Sequence, residues 1–208
     1  QIIHTAGNIT WSLDNLIDQI NANEDKEKLI ENIKDISLEV QRIVSASRYV
    51  TNAGFNTEAE KINKDLVKFI NEYVLNIYIP ADSFIHQKRP IKIEVFNNSN
   101  IAKVKKFRPF EITVILDNLF SNSRKANATN IKLEWIKDGR SIILVFKDNG
   151  NGIPFEIQEK IFDFRFSRSN GSGIGLYHVS DLLKKYKATI EVNPRTSTGA
   201  EFILKFPL

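Results

Sequence analysis

The apolar run Ile142 to Phe146 leads straight into Asp148-Asn149-Gly150-Asn151-Gly152. A carboxylate at the end of a buried strand can accept a hydrogen bond from an exocyclic amine such as that of adenine, and the glycines let the backbone turn tightly against a ligand. A second glycine cluster, Gly171-Ser172-Gly173-Ile174-Gly175-Leu176, opens an amphipathic stretch through Val179, Leu182 and Leu183. Glycines at a helix start expose backbone N–H groups and the positive dipole end, which together hold phosphates. The cluster has neither the preceding strand nor the spacing of a dinucleotide fingerprint, and the phosphate-loop lysine pattern is missing. A third constellation is Asn118, Asn122 and Lys125, at i, i+4 and i+7, which puts two carboxamides and one ammonium on one helical face. Carboxamide oxygens can ligate Mg²⁺ while the ammonium meets phosphate oxygens.

Composition narrows the chemistry further. The 208 residues contain no cysteine and three histidines, so disulfides, thiolate metal sites and cysteine nucleophiles are excluded. The net charge of +4 is mild and mixed in sign, which gives nucleic-acid binding little support. No apolar run approaches the roughly 20 residues that span a bilayer, and no signal-peptide pattern opens the chain. These features predict a soluble, cytoplasmic segment without membrane contact of its own. The absence of methionine is expected of a fragment, with any sensory or membrane-anchoring region lying upstream.

The elements that must position these groups follow from periodicity. Ile2, Ala6, Ile9, Leu13, Leu16 and Ile20 form one apolar helical stripe, and Leu29, Ile33, Ile36, Val40 and Ile43 form a second after a polar turn. Such a hairpin must cover both stripes, either with a second copy of itself, giving a dimeric four-helix bundle, or with the rest of its own chain. His4 points away from the first stripe, and Asn8 sits beside it on the same outer face. A boundary falls near residue 56, dividing a helical hairpin (1–56) from a second domain (57–208). There Thr57 and Glu60 form a capping box ahead of a helix through Leu66, Phe69, Ile70 and Tyr73. Strand patterns at Ile91 to Val95, Ile131 to Trp135, Ile142 to Phe146, Ile190 to Val192 and Phe202 to Phe206 alternate with helical stretches. The helices are Phe110 to Asn127, Pro154 to Phe162 and Gly175 to Tyr186. The expectation is an α+β fold, a two-layer α/β sandwich in which helices cover one face of a mixed sheet.

In this order and spacing the pieces resemble one family, the ATP-binding domain of sensor histidine kinases within the GHKL superfamily of gyrase B, Hsp90 and MutL. The N box is similar to Asn118 to Lys125, the G1 box to Asp148 to Gly152, the F box to Ile161 to Phe166, and the G2 box to Gly171 to Leu176. Thr198-Gly199-Ala200-Glu201-Phe202 is similar to the closing box, in which the family usually has Thr or Ser where this chain has Ala200. The resemblance implies that Asp148 bonds the adenine amino group, with Gly150 and Gly152 lining the pocket. It further implies that Asn122 ligates Mg²⁺, that Lys125 contacts phosphate, that Asn118 belongs to the cofactor-binding and catalytic residues, and that Phe162 to Asn170 form a lid leading to Gly171, Gly173, Gly175 and Leu176.

Hydrolytic members carry a glutamate at the position of Asn118, and a carboxamide cannot take a proton from water. The resemblance therefore implies the kinase branch, with ATP and Mg²⁺ as cofactors and His4 as phosphoacceptor, since His86 falls in a loop and His178 inside a helix. His4-Thr5-Ala6-Gly7-Asn8 is similar to the family's H box, although Thr5 replaces its usual acidic residue and Ile9 its proline. Asn8 is then placed to assist dephosphorylation, and the partners are a second copy of the hairpin and the receiver domain of a response regulator. Two other outcomes stay open: an ATP-driven switch or ATPase, and a nucleotide-binding scaffold without phosphotransfer.

Overall fold

The chain divides into two units, Gln1–Phe55 and Asn56–Leu208. The computed structural model describes residues 61–86, 89–98, 100–164, 166, 175–194 and 198–207, all in the second unit, so the expected hairpin with His4 and Asn8 lies outside the described residues.

The strands are β1 (Ile62–Asp65), β2 (Lys92–Phe96), β3 (Val104–Phe107), β4 (Asn130–Asp138), β5 (Ser141–Asp148), β6 (Thr189–Val192) and β7 (Glu201–Pro207). The helices are α1 (Leu66–Tyr73), α2 (Ile79–Ile85), α3 (Pro109–Lys125) and α4 (Gly175–Lys185), with a π-helical turn, Val74–Tyr78, between α1 and α2. Five strands form one sheet in the order β2-β4-β5-β7-β6. The β2–β4 pair is parallel and the other pairs are antiparallel, so the sheet is mixed, as the alternating patterns predict.

Alternation along the strands decides the two faces. Leu133 pairs with Phe146, and Phe146 with Phe202, which stacks three buried side chains across one face. Rings continue that layer: Tyr78 stacks on Phe120 at 3.9 Å, and Phe120 meets Phe146 edge-on at 5.2 Å. Edge-to-face and offset contacts of this kind add to the area term that holds the helices on the sheet. The opposite face carries the ion pairs Lys132–Glu134, Lys147–Glu201 and Lys205–Glu191, which are partly exposed and contribute little stability.

Both helices that flank the expected site end in the same way. At α3, the N–H of Asn127 bonds Arg124 O and that of Ala128 bonds Ser123 O, with Asn127 at φ 62°. At α4, the N–H of Lys187 bonds Lys184 O and that of Ala188 bonds Leu183 O, with Lys187 at φ 56°. These are Schellman endings, in which one left-handed residue turns the chain and satisfies the last carbonyls, here without the usual glycine.

Two sequence expectations are corrected, and one strand pair is added. The first helix starts at Leu66, not behind Thr57: Asp65 accepts from the N–H groups of Val67 and Lys68, and Ile62–Asp65 is strand. Its partner is β3, in register Ile62 to Phe107, a strand that sequence pattern did not reveal. The stretch Pro154 to Phe162 is not one helix but two 3₁₀ turns, Phe155–Ile157 and Lys160–Phe162. Of these turn residues only Ile161 is buried, so there is no apolar stripe to hold a longer helix against the sheet.

Candidate nucleotide site

Asp148 is the last residue of β5 and is 3% exposed, on the helix-covered face. Its Oδ1 accepts from the N–H of Gly150 at 2.9 Å and of Ala200 at 3.1 Å. Its Oδ2 accepts from the Ser123 hydroxyl at 2.7 Å. Both oxygens of this buried side chain therefore have hydrogen-bond donors, as a buried polar group requires. Ser123 is also buried, and sequence reasoning missed it because a serine inside a helix carries no signal of its long-range partner.

Two loops are clamped around this carboxylate. Gly199 sits at φ 70°, and a Cβ there would lie 1.9 Å from the Asp148 carbonyl oxygen, so only glycine fits. Gly152 lies against Gly199, and Gly150 lies against the Ala126 carbonyl that ends α3. That carbonyl accepts from the Asn151 N–H at 2.8 Å. Asn149 ties the loop to the start of β4, its Oδ1 accepting from Thr129 N and Asn130 N. The Asp-x-Gly-x-Gly segment is therefore a rigid corner fastened to α3, β4 and the segment before β7.

The α3 residues are distributed along one side of the helix. Asn118 donates from Nδ2 to the Val114 carbonyl at 2.8 Å. Gly175 packs on its other side, where a Cβ would lie 2.7 Å from Asn118 Oδ1. Asn118 thus supports the start of α4. Asn122 lies one turn further on, and its Nδ2 is buried without a hydrogen-bond partner. A half-turn of the amide exchanges its N and O, so the unused position can present an oxygen to a cation. Lys125 stands exposed in the last turn of α3. No cluster of three or more His, Cys, Asp or Glu able to hold a metal occurs among the described residues. A divalent ion here would take Asn122 plus oxygens of a bound polyphosphate, which suits Mg²⁺ better than an all-protein cage does.

Leu176 is half-buried in the first turn of α4, and Phe162 is half-buried in the second 3₁₀ turn, which packs on α4. Phe164, beyond that turn, reaches the Tyr177 ring at 5.1 Å. Gly171 and Gly173 lie outside the described residues, as does most of the expected lid. No helix among the described residues is long and apolar enough to cross a membrane.

At the far end of the same helix pair, Tyr186 donates to Glu111, and its hydroxyl accepts from the Arg108 N–H at 3.0 Å. Burial pushes the Tyr186 phenol up, and the Glu111 carboxylate pushes it further. Burial also raises Glu111, but the Tyr186 hydrogen bond together with Lys185 and Arg108 outweighs it and holds the carboxyl below its usual range.

The description "histidine kinase-, DNA gyrase B-, and HSP90-like ATPase" is that of the family whose model matches residues 108–208. The histidine protein kinase SaeS of Staphylococcus epidermidis is 30% identical over 146 residues, which cover 65% of this chain and 41% of that protein. The alginate biosynthesis sensor protein KinB of Pseudomonas aeruginosa is 23% identical over 183 residues, 86% of this chain and 29% of that one. Among solved structures, a nucleotide-free catalytic domain of the histidine kinase ThkA aligns with a TM-score of 0.56 at 25% identity. The alignment covers 71% of this chain and 97% of that domain. The chain thus spans less than half the length of the curated relatives it matches. With the clamped carboxylate and the α3 carboxamides, these likenesses identify residues 108–208 as an ATP-binding domain of the histidine kinase-, DNA gyrase B- and HSP90-like (GHKL) type, similar to the catalytic domains of sensor histidine kinases.

Proposed function

We propose that this chain is the autokinase core of a two-component sensor: an ATP-binding domain that phosphorylates His4 on a preceding helical hairpin, from which phosphate passes to an aspartate of a response regulator. The hairpin, residues 1–56, would dimerise as a four-helix bundle, and Asn8 beside His4 would assist the reverse, dephosphorylating step. The observation that carries the nucleotide part is the Asp148 carboxylate, buried yet fully oriented, at the mouth of two glycine loops.

In this reading Asp148 accepts the adenine amino group and rejects a base that offers only a carbonyl there. Asn122 holds Mg²⁺, which when bound neutralises phosphate charge, and Lys125 adds a mobile cation at the end of the same helix. The backbone N–H groups at Gly171, Gly173 and Gly175, with Leu176 behind them, cradle the phosphates, and Phe162 packs at the lid's base. Catalysis of this type is mostly positioning and charge neutralisation, which needs no basic side chain at Asn118. Asn118 favours the kinase over a hydrolase, because its carboxamide already bonds the Val114 carbonyl and cannot abstract a proton.

Incubation with ATP labelled at the γ position tests the proposal. The expected product is an acid-labile, base-stable phosphoprotein that is absent in His4→Ala. Label retained in His4→Ala overturns the acceptor, steady phosphate release without protein label indicates an ATPase, and nucleotide binding with neither product indicates a scaffold.

A further inference from the structure

An ionised carboxylate offers about four acceptor positions, two on each oxygen. At Asp148 the two on Oδ1 are taken by the N–H groups of Gly150 and Ala200, and one on Oδ2 is taken by Ser123. The remaining acceptor position therefore lies on Oδ2, the oxygen that Ser123 holds. The backbone donors alone fix where Oδ1 sits. The Ser123 hydroxyl is the one donor on Oδ2 among the described residues, so it decides which of that oxygen's two acceptor positions is occupied and which is left for a ligand.

Ser123 is itself rigidly placed. It is 1% exposed, and its carbonyl receives the Ala128 N–H in the Schellman ending of α3. It also follows Asn122 directly in the chain, so one helical turn carries both the unpartnered carboxamide and the hydroxyl that orients Asp148. On the other side of the carboxylate, Ala200 contributes only its backbone N–H. Among the described residues Ser123 is thus the only side chain that hydrogen-bonds Asp148, and substitution there changes the carboxylate's orientation without changing its charge.

We infer that Ser123 is a positioning residue that sets base specificity, aiming the last acceptor position of Asp148 at the exocyclic amine of a 6-aminopurine nucleotide. The inference rests on the adenine-pocket reading above and deepens it. A 6-oxopurine presents an acceptor at that position and gains nothing from a well-aimed carboxylate lone pair, so loss of the aim should affect the amino base selectively. Hydrogen bonds to a charged group are strong enough for a misdirected one to cost about tenfold in affinity.

Equilibrium binding of ADP and of inosine diphosphate to the whole chain tests this without reference to turnover. The wild-type protein is expected to prefer ADP; binding neither nucleotide, or both equally, overturns the adenine pocket and this inference together. Given that preference, Ser123→Ala should weaken ADP binding about tenfold and leave inosine diphosphate within about twofold. Ser123→Cys, which keeps the volume but donates only weakly, should behave as the alanine variant does. Added to Asp148→Asn, Ser123→Ala should produce no further loss, because its effect acts through that carboxylate. A wild-type ADP preference in Ser123→Ala or Ser123→Cys, an equal fall for both nucleotides, or an additive loss in the double variant would each overturn the role of Ser123 while leaving the pocket itself standing.

Discussion

Tyr186, one residue beyond α4, donates its hydroxyl to Glu111 in the first turn of α3. This bond joins the two helices at the end opposite the glycine loops, and the Lys105 ammonium adds a 2.8 Å bond to the Tyr186 carbonyl. Burial, then the charges of Lys103 and Lys187, lower Lys105 from its ordinary value. The helix that follows the second glycine cluster is therefore fastened at its C-terminal end by a buried polar knot.

That knot has a pH signature. The Glu111 carboxyl is held below its unfolded value, so its contribution is complete above the ordinary carboxylate range and is lost as pH falls through the lowered folded value. Glu201 is shifted the same way, burial being outweighed by Asn193 and Lys147, and adds to the same acid limb. Thermal unfolding followed from about pH 7 to about pH 3 should show stability falling with acid. Glu111→Gln should remove roughly 1–3 kcal/mol near neutrality and flatten that fall. A variant whose acid limb is as steep as the parent's would contradict the assignment.

Gly199→Ala should be among the most damaging single substitutions. The new methyl would stand 1.9 Å from the Asp148 carbonyl oxygen, at a φ that side chains rarely adopt. The expected loss is about 3 kcal/mol or more in denaturant unfolding, and nucleotide affinity should fall with it because the same shift moves the Ala200 N–H away from Asp148.

Lys187→Gly should act in the opposite direction. Lys187 takes the left-handed position that ends α4, where glycine has no Cβ penalty. A gain of roughly 0.5–1 kcal/mol in the unfolding free energy, with ADP affinity unchanged, is the expected result. A loss would show that the lysine side chain makes a contribution larger than its backbone strain.

Asn122→Ala separates cation from base. Titration of ATP with and without Mg²⁺ should show that the variant loses most of the Mg²⁺-dependent gain in affinity while binding ADP in chelator within about twofold of the parent. Retention of the full Mg²⁺ effect would place the cation on other residues.

Much of this fold is legible in the sequence. The strands Ile131 to Trp135 and Ile142 to Phe146 alternate or run apolar because one sheet face is covered, and period-two patterns report that directly. Asp148 with its glycines was visible as a unit because its chemistry depends on residues adjacent in sequence. The β1–β3 ribbon was not visible, since its two four-residue strands, partly exposed and charged, have no partner in the local pattern. Pro154 to Phe162 differs from its helical pattern for the converse reason, as isolated apolar residues imitate a helical stripe without a surface on which to bury it.

The sequence by itself determined the order of the chemical groups: a carboxylate followed by two glycines, a helix bearing Asn118 and Asn122, and a second glycine cluster before an amphipathic helix. These are short-range facts, set by spacing along a few turns or one strand. Only the tertiary structure decided that Ser123 meets Asp148 across 25 residues and Ala200 meets it across 52, and that Tyr186 closes on Glu111 across 75. Such bonds form because helix and sheet must bury their apolar faces on each other, and the polar atoms carried inward then find whichever donors that packing brings within reach.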